Sequence, residues 1–551
     1  MASRRDELNA YSFARKRTNA AFLKPLPNGS IESAPKPLKA VVPSMIMGVL
    51  MLVGFGACGI LKPVAPSGWD KPQANLIVGS DSSTRYVVLP NTDLNGHKQN
   101  LLHPVLNLAS AKLLLDPDKY SVVKVQESEL DGKITHGPAV GIPYAPDRLP
   151  TPQDVDKPKV WAVCDRPGSG KNSKPQQAVF VLSGKDTQLV DDPRKGRLDV
   201  HEALYVEDPD GKRWLVDNNG TAFQFDSTLG GHIAPPQGPE KTNRDLERII
   251  FGDSVEPQKV SPEFMATLIK SPVPIAMPRI TGAGQQTPVK DAPDKYRTVG
   301  TVLQADDSPQ KYVVMGDGVY KVSNFIAKLL LQGQNAQDLN KDGSALTPKT
   351  VSTTSFTPKT DDSGHVMDFM GKIPNTDVPM PWPADEVSAA NNYKQDSQTG
   401  GLNTPTGNGV ACSVYKGTNT KYPGEANKLL GFPNGVPNMQ TWVGKDYPAK
   451  IAPGASSYVT PGSGLLYRQA STPSAKFGSL FLVTDTGLRY SIPENNDGGN
   501  KAGKADQDQG QSQLHLGYKS AHPPLILKTW SELLSAGPSL DVQSAKKPQA
   551  S

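Results

Sequence analysis

The 551-residue sequence contains no complete motif for nucleotide, metal or nucleophilic chemistry. Gly168 to Lys171 resembles the end of a phosphate-binding loop, but Asp165 replaces the first glycine and Asn172 replaces the hydroxyl ligand of magnesium. His201-Glu202 lacks the second histidine of a zinc-binding helix, and no G-x-S-x-G elbow occurs. The sequence therefore predicts no catalytic residue, no cofactor and no metal ligand, although a carboxylate pair assembled from distant residues stays open.

Net charge is also absent beyond residue 40. Residues 1–40 carry eight basic and three acidic side chains, which gives a net charge of +5. The whole chain has 59 basic and 54 acidic residues, so the remainder holds 51 of each. A neutral surface offers no long-range attraction for DNA or RNA, and we therefore expect no nucleic acid partner.

One long apolar run extends from Val41 to Leu61, with no charge between Lys39 and Lys62. Its 21 residues would form a helix about 30 Å long, which matches the hydrocarbon core of a bilayer. A buried core helix and a cleaved signal peptide are the alternatives, but forty mostly polar residues precede the run. We predict an uncleaved membrane anchor, with the basic N-terminus in the cytoplasm and about 490 residues outside.

The first residues predict an amphipathic helix. Ser3 and Asp6 have the spacing of a capping box, and Leu8, Tyr11 and Arg15 share one helical face. Two interpretations stay open for this helix. It could lie on anionic lipid, or it could dock on a cytoplasmic partner through Leu8, Tyr11 and Arg15.

Two segments recur along the chain. RYVVL at 85–89 matches KYVVM at 311–315 at an offset of 226, and AKLLL occurs at both 111–115 and 327–331 at an offset of 216. Matched segments in the same order are hard to obtain by accident. They predict that a module of one fold occurs twice.

A second pair of matches lies further along each half. An apolar run, a glycine turn and an aromatic-led strand occur at 204–214 and again at 480–490, at an offset of 276. An aromatic residue and a leucine at helical spacing follow in both copies, at an offset of 266. The predicted core of these modules comprises Trp214, Phe264, Leu268, Tyr490, Trp530 and Leu534. Residues 340–375 and 493–513 lack apolar periodicity, and we expect mobile loops there.

Cysteine is scarce, with three residues in the chain. Cys58 falls in the apolar run, where we interpret it as a small apolar side chain. Cys164 and Cys412 are 248 residues apart, an offset between those of the two repeat pairs, so they are candidate equivalents in the two copies. Equivalent positions can meet at a twofold axis, and an oxidising compartment allows the bond. We predict a Cys164–Cys412 disulfide, and the alternative is two unrelated buried thiols.

These features predict an α+β protein. It has a cytoplasmic N-terminal helix, one transmembrane helix and an elongated, pseudo-twofold ectodomain of four small α/β repeat modules around a central β-rich domain. The predicted segments are a cytoplasmic tail (1–40), the transmembrane helix (41–61), a linker (62–77), four repeat modules (78–150, 201–275, 300–380 and 476–545) and two halves of the central domain (151–200 and 381–475).

Several stretches are distinctive: RRDELNAYSFARKRTNAAF near the start, GILKPVAPSGWDKP and VGSDSSTRYVVLPN after the apolar run, WAVCD, and GPSLD near the end. Together they resemble EccB, the membrane subunit of actinobacterial type VII (ESX) secretion systems, over nearly the whole chain. The resemblance implies a single-pass protein of the cell membrane, in a complex with the motor ATPase EccC, with EccD and EccE, and with the protease mycosin. It also implies four repeat modules around a central domain crossed by a disulfide.

The function that we expect from this resemblance is structural. The chain would scaffold a secretion complex on the extracytoplasmic side, as a homo-oligomer within that complex. Two alternatives stay open: an ATP-hydrolysing subunit, as some members of the family are catalogued, and a protein that binds or hydrolyses cell-wall peptidoglycan. The resemblance assigns no ATPase residue, because no nucleotide motif of this sequence matches.

Overall fold

The protein is represented by a computed structural model, which describes residues 3–23, 38–60, 65–92, 96, 98–168, 174–226, 239–340, 346–373, 377–391, 409–419, 436–472, 475, 477–493 and 511–549. Most of the phosphate-loop-like turn, from Ser169 to Asn172, lies outside the described residues. The same holds for residues 494–510 of the second predicted mobile loop.

Two helices open the chain, α1 (Arg4–Leu23) and α2 (Leu38–Ile60). At the start of α1, the backbone N of Ser3 donates to Asp6 Oδ2 at 3.2 Å, and the backbone N of Arg5 donates to Ser3 Oγ at 3.2 Å. The predicted cap is therefore confirmed. No helix within the described ranges combines the length and the apolar character that a membrane crossing requires.

The remaining helices are short, and the strands are distributed over five sheets. The helices are α3 (Leu108–Leu114), α4 (Glu127–Lys133), α5 (Gln188–Asp191), α6 (Pro239–Phe251), α7 (Pro262–Thr267), α8 (Asn324–Gln332), α9 (Gln334–Leu339), α10 (Gln511–His515), α11 (Lys528–Ser531) and α12 (Val542–Lys546). The strands are β1 (Asn75–Gly79), β2 (Arg85–Thr92), β3 (Lys98–Pro104), β4 (Ser121–Val125), β5 (Val160–Arg166), β6 (Gln176–Leu182), β7 (Glu202–Glu207), β8 (Arg213–Val216), β9 (Thr221–Gln224), β10 (Gln258–Lys259), β11 (Ile269–Lys270), β12 (Val302–Ala305), β13 (Lys311–Met315), β14 (Gly318–Val322), β15 (Lys349–Val351), β16 (Ser388–Ala389), β17 (Val410–Asn419), β18 (Val436–Gly444), β19 (Ser457–Val459), β20 (Gly464–Ala470), β21 (Ser479–Thr484), β22 (Leu488–Ile492), β23 (Leu525–Leu527) and β24 (Ser535–Ala536).

Two sheets share one four-stranded topology. Sheet 1 has the order β3-β2-β1-β4, and sheet 3 has the order β14-β13-β12-β15. In each, three antiparallel strands precede a helix and an edge strand that runs parallel to the first strand. Side-chain caps start the helices: Asn107 Oδ1 accepts from Ser110 N, and Ser323 Oγ accepts from Ile326 N.

The prediction of a mobile loop over residues 340–375 is wrong at β15, which lies within that range. This strand pairs with β12, and its residue Val351 is buried. Further along, the backbone N of Lys359 donates to the carbonyl of Val319 at 2.7 Å, which ties the segment to β14. A strand of three residues is too short to show alternation, so periodicity could not reveal it.

Two other sheets share a five-stranded topology. Sheet 2 has the order β10-β7-β8-β9-β11, with β16 also paired to β7, and sheet 4 has the order β23-β20-β21-β22-β24. In both, a central antiparallel meander is flanked by two short parallel strands. A helix, α7 in sheet 2 and α11 in sheet 4, lies between those short strands in the sequence.

The predicted hairpin match is wrong by one strand. Trp214 lies on β8, the second strand of its meander, whereas Tyr490 lies on β22, the third strand of its own. The cross-strand pairs show the true equivalence, because Trp214 pairs with Gln224 and Phe481 pairs with Ser491. Trp214 therefore corresponds to Phe481, at an offset of 267. Two successive hairpins have the same apolar pattern, so the pattern alone cannot fix their register.

The central sheet combines strands from both halves of the chain. Its order is β18-β17-β5-β6-β19, and β5 pairs with β17 in antiparallel orientation. Residues along β5 and β6 are almost all buried, as expected for strands that are covered on both faces.

Three apolar clusters join the sheets. The central cluster packs one face of the central sheet against sheets 2 and 4. The second cluster packs sheet 1 against sheet 4, for example through Val87 and Leu482. The third packs sheet 2 against sheet 3, for example through Phe223 and Val313. Each sheet of the first half therefore shares a core with a sheet of the second half, and the two halves are interlaced.

Candidate functional site

A disulfide joins the two halves in the middle of the central sheet. Cys164 on β5 and Cys412 on β17 are direct cross-strand partners, and their Sγ atoms are 1.98 Å apart. Both residues are fully buried. The structure thus contains the disulfide that the sequence predicts, while Cys58 lies on α2.

A buried carboxylate lies next to the disulfide. Asp165 is fully buried on β5, and its Oδ2 accepts a hydrogen bond from the backbone N of Ser261 at 2.5 Å. Ser261 is the N-cap of α7, and its Oγ accepts from Gln177 Nε2 at 2.8 Å. Burial raises the pKa of Asp165 to about 6, against the opposing effect of the hydrogen bond from Ser261. Asp165 therefore connects the central sheet to the helix of sheet 2.

The other half of the central sheet carries no matching carboxylate. At the 248-residue offset of the two cysteines, Ser413 stands where Asp165 stands. Leu527 precedes α11 in the place that Ser261 has before α7, and it makes no side-chain cap. The link between carboxylate and helix cap is therefore present in one half alone, and the central region is chemically asymmetric.

A second carboxylate lies in the turn between β8 and β9. Asp217 Oδ1 accepts from the backbone N of Thr221 at 2.8 Å and of Asn219 at 2.9 Å. Its carbonyl accepts from Thr441 Oγ1 at 3.0 Å, which ties the turn to β18. Burial raises the pKa of Asp217 to about 6, although the residue as a whole is only half-buried.

We expect the protein to become more stable as the pH is lowered from 7.5 to 5. Asp165 has a folded-state pKa of about 6 against an ordinary value of 3.8, so between these values the folded chain binds more protons than the unfolded chain. The free energy of unfolding should therefore fall as the pH rises from about 4 to 6, by up to about 3 kcal/mol for this group. Asp217 should add less, because it keeps some contact with water. Urea unfolding of the full chain at pH 5, 6 and 7.5 measures the effect.

The matched control for this dependence is Asp165→Asn. The amide cannot ionise, so the variant should lose most of the gain on acidification while keeping a carbonyl oxygen for Ser261. An unchanged slope in this variant would contradict the assignment to Asp165. Below pH 4 the free energy of unfolding should instead fall as the pH falls. Backbone hydrogen bonds from Ser82 and Asp81 hold the pKa of Glu127 at about 2, below its ordinary value of 4.5, so the unfolded chain binds this proton first.

The predicted core residues are brought together more closely than the four-module plan implies. Five of the six lie in the central cluster, and Tyr490 lies in the cluster between sheets 1 and 4. The central cluster contains Trp214, Phe264, Leu268, Trp530 and Leu534.

The predicted docking residues of α1 are exposed. Leu8 and Tyr11 are each 71% exposed, and Arg15 is exposed as well. The predicted docking face of α1 therefore contacts no other part of the described chain.

Two open clefts lie away from the disulfide. One, of about 400 Å³, borders sheet 3, where Lys321 Nζ and Asp368 Oδ1 are 3.8 Å apart. The other, of about 450 Å³, borders α6, where Arg213 donates to the buried Glu247 at 2.6 Å. Tyr205 also donates to Glu247, at 2.8 Å. These charges are paired with one another, an arrangement that stabilises structure.

Metal-binding geometry is also absent from the described ranges. Within them, no group of three or more histidine, cysteine, aspartate or glutamate side chains is placed to hold a metal ion. The structural role of Asp165 is not predicted by the sequence, in which this residue stands out only as a break in a phosphate-loop pattern. The available signal was a carboxylate that directly follows the apolar run WAVC.

Comparison with known sequences identifies a family. The family described as type VII secretion system ESX-1, transport TM domain B, matches residues 1–549. The ESX-1 secretion system ATPase EccB1 of Mycolicibacterium smegmatis (strain MKD8) is 26% identical over 296 residues, which cover 53% of this chain and 54% of that protein. The ESX-3 secretion system ATPase EccB3 of Mycobacterium tuberculosis (strain ATCC 25618 / H37Rv) is 24% identical over 529 residues, which cover 92% and 82% respectively. The match thus spans about half the length of the ESX-1 relative.

A solved structure has a similar fold. It is described as the EccB3 dimer from the ESX-3 core complex, and it superposes with a TM-score of 0.50 at 21% sequence identity. The superposition covers 86% of this chain and 99% of that chain. A mixed α/β fold with several small sheets is therefore common to both.

Proposed function

Because the chain belongs to the EccB family of type VII secretion systems, we propose that it is a structural membrane subunit that scaffolds an ESX secretion complex on the extracytoplasmic side. The observation that carries this proposal is the family match, which extends over residues 1–549. The relatives are named as ESX secretion components, and the similar solved structure is named as part of an ESX core complex.

The interlaced fold supports a scaffolding role. Sheets 2 and 4 are each covered on both faces, by the central sheet on one side and by sheet 3 or sheet 1 on the other. Independent motion of one sheet would expose apolar side chains on two sides, so such motion is unfavourable. A stiff body of this kind suits a subunit that holds other subunits at fixed distances.

The proposed membrane topology places α2 in the bilayer and the N-terminus in the cytoplasm. The supporting observations are the uncharged run, the basic residues before it and the exposure of its side chains from Val41 to Phe55. A membrane-impermeant thiol reagent tests the orientation in a Cys58→Ser background, after the cell wall is made permeable. The reagent should reach a cysteine introduced at Ser80 and should not reach one introduced at Ser33. Labelling at Ser33 alone would reverse the topology.

The proposed plan of the extracytoplasmic part is a duplicated unit of four modules around the central sheet, with the boundaries given above. Shared strand orders support the pairing of sheet 1 with sheet 3 and of sheet 2 with sheet 4. At the corrected offset of 267, Gly220 and Gly487 stand at equivalent turns, with φ of 73° and 79°. Left-handed backbone favours glycine, so the same residue type serves the same turn in both.

The proposed partners are EccC, EccD, EccE and mycosin, with further copies of this chain. Purification of the tagged full chain from membranes tests this assignment, since the other subunits should co-purify with it. Absence of every other secretion subunit from the wild-type preparation would contradict the proposed function.

If α1 docks on a cytoplasmic subunit, Leu8→Asp with Tyr11→Asp should release that subunit, because both exposed side chains would lose apolar contact. The matched control replaces Arg4, Arg5 and Arg17 by glutamine. This replacement should weaken the attachment of α1 more than the first one does if α1 lies on lipid.

A second candidate function is ATP hydrolysis, which the names of the relatives favour. Turnover by the purified chain, removed by Lys171→Ala with the fold intact, would support it. We expect this variant to leave both folding and secretion unchanged, because the turn from Gly168 to Lys171 lacks its first glycine and its hydroxyl ligand. Peptidoglycan binding is a third candidate, which sedimentation with isolated cell wall would test.

A further inference from the structure

The cleft beside sheet 3 has an apolar floor. Its lining includes the partly buried residues Phe369, Met370 and Met380 and the buried Trp382, all of which pack in the third apolar cluster. Trp382 is fixed in place, because its Nε1 donates to Pro274 O at 3.1 Å. Methionine side chains are flexible and polarisable, so they adapt to apolar groups of different shapes. The cleft therefore combines a fixed aromatic residue with two adaptable ones.

The connection that borders this cleft is not part of the topology that sheets 1 and 3 share. After β4, the connection in sheet 1 contains the helix α4. After β15, the connection in sheet 3 instead forms two antiparallel pairings, Thr360 with Val366 and Lys372 with Pro379. The segment between these two pairings, from Asp368 to Gly371, lines the cleft. The cleft thus depends on a feature of one sheet alone.

The backbone of Met370 is unusual. Its φ is +54°, a left-handed value that is unfavourable for residues other than glycine. Two backbone hydrogen bonds hold this turn: Gly371 N donates to Asp368 O at 3.3 Å, and Met380 N donates to Gly371 O at 2.9 Å. Residues held in such backbone conformations cluster at ligand-binding segments. A strained methionine in the lining of a cleft therefore points to a ligand.

The rim of the cleft carries one base and one acid. Lys321 Nζ and Asp368 Oδ1 are 3.8 Å apart, which is longer than a hydrogen bond, and their side chains are 43% and 46% exposed. Both groups therefore keep hydrogen-bonding capacity for a ligand. A peptide bond has one donor and one acceptor, so the rim matches a polypeptide main chain, whereas a hydrocarbon chain would leave it unused.

The apolar surface continues beyond the cleft. Val366 and Met367 are 41% and 36% exposed, and Met367 O accepts from Lys321 N at 3.0 Å, so they lie beside the rim. A site for a small molecule usually buries most of its ligand, but this cleft of about 400 Å³ is open. A ligand that extends past the cleft fits this shape better than a compact one.

We infer that this cleft binds an extended apolar segment of a second protein. An apolar side chain of that segment lies on the methionines and Trp382, and its main chain meets Lys321 and Asp368 at the rim. This goes beyond the scaffolding function, because it gives the chain a peptide-binding activity of its own.

Fluorescence anisotropy of a labelled peptide, Ala-Leu-Leu-Leu-Ala with blocked ends, tests the inference. The full chain, held in lipid nanodiscs, should bind this peptide saturably, and empty nanodiscs measure its partition into lipid. The peptide Ala-Ser-Ser-Ser-Ala should not bind. Met370→Gly should raise the dissociation constant about fivefold, because apolar contact is lost. Glycine accepts the left-handed backbone, so urea unfolding should show that this variant keeps its fold.

The matched control is Ser83→Gly. Ser83 is an exposed residue of sheet 1 with a φ of +58°, so glycine relieves the same kind of backbone strain away from the cleft. This variant should bind the peptide as the parent protein does. Absence of saturable binding by the parent, or equal affinity in Met370→Gly, would overturn the inference.

The rim gives a second readout. Lys321→Ala and Asp368→Ala should each weaken peptide binding about threefold, since each removes a hydrogen bond to the main chain. Affinity that neither substitution changes would indicate an occupant without hydrogen-bonding groups, such as a hydrocarbon chain, and would overturn the inference. Peptide binding is measured on this chain alone, so its failure is distinct from a failure of other secretion subunits to co-purify.

Discussion

Replacing Trp530 by alanine is expected to lower the free energy of unfolding by about 3–5 kcal/mol, the usual range for removal of a buried tryptophan. Trp530 is 1% exposed in the central cluster, and its ring stacks on Tyr415 of β17 with centroids 5.6 Å apart. Its loss would open a cavity where sheet 4 meets the central sheet. Urea unfolding of the full chain, followed by far-ultraviolet circular dichroism, measures the change.

The controls for Trp530→Ala use one matched and one exposed position. Phe264 stands at the same place on the helix of sheet 2 and is fully buried, so Phe264→Ala should give a similar loss. The exposed Phe477→Ala should change stability by less than about 0.5 kcal/mol. Because the central cluster is shared by three sheets, each variant should unfold in one transition. A separate early transition confined to sheet 4 would show that the sheets are independent.

Replacing Cys164 by serine is expected to lower the free energy of unfolding by about 2–4 kcal/mol. The bond joins residues 248 apart, for which loop entropy alone gives roughly 5 kcal/mol as an upper figure. The buried serine hydroxyl adds a desolvation penalty, so Cys164→Ala with Cys412→Ala is the cleaner variant. The loss should appear in the whole folded part, since the interlaced cores prevent the two halves from separating by themselves.

Thiol counting decides whether the bond exists in the protein. The denatured, unreduced full chain should react at one thiol, that of Cys58, and at three after reduction. In a Cys58→Ser background the first count should fall to zero. Three reactive thiols before reduction would contradict the disulfide.

Some features could be predicted from composition, local spacing or a residue count. The family resemblance is confirmed, and so is the cap of α1, which follows from the spacing of Ser3 and Asp6. The disulfide pair could be predicted because Cys58 falls in the apolar run, which leaves Cys164 and Cys412 without a third competitor. Each of these quantities can be read from the sequence without knowledge of the fold.

Features that depend on distant residues were harder to predict. The match of Trp214 to Tyr490 was wrong, since a meander repeats its own pattern from one hairpin to the next. The packing of sheet 1 on sheet 4 and of sheet 2 on sheet 3 left no periodic signal, because apolar faces look the same whichever partner covers them. The role of Asp165 depends on Ser261, which approaches it only in the folded chain.

The interlacing also determines when the protein can fold during its synthesis. Sheet 1 is complete at residue 125, but the face that it shares with sheet 4 waits for β20 to β22, which end at residue 492. At ordinary rates of translation that interval lasts about 20 to 70 s. The newly made N-terminal half therefore leaves the ribosome with apolar faces uncovered, and a chain that stops before sheet 4 cannot bury them. On the topology proposed above, export of these sheets would need either a chaperone that covers those faces or a membrane passage faster than their aggregation.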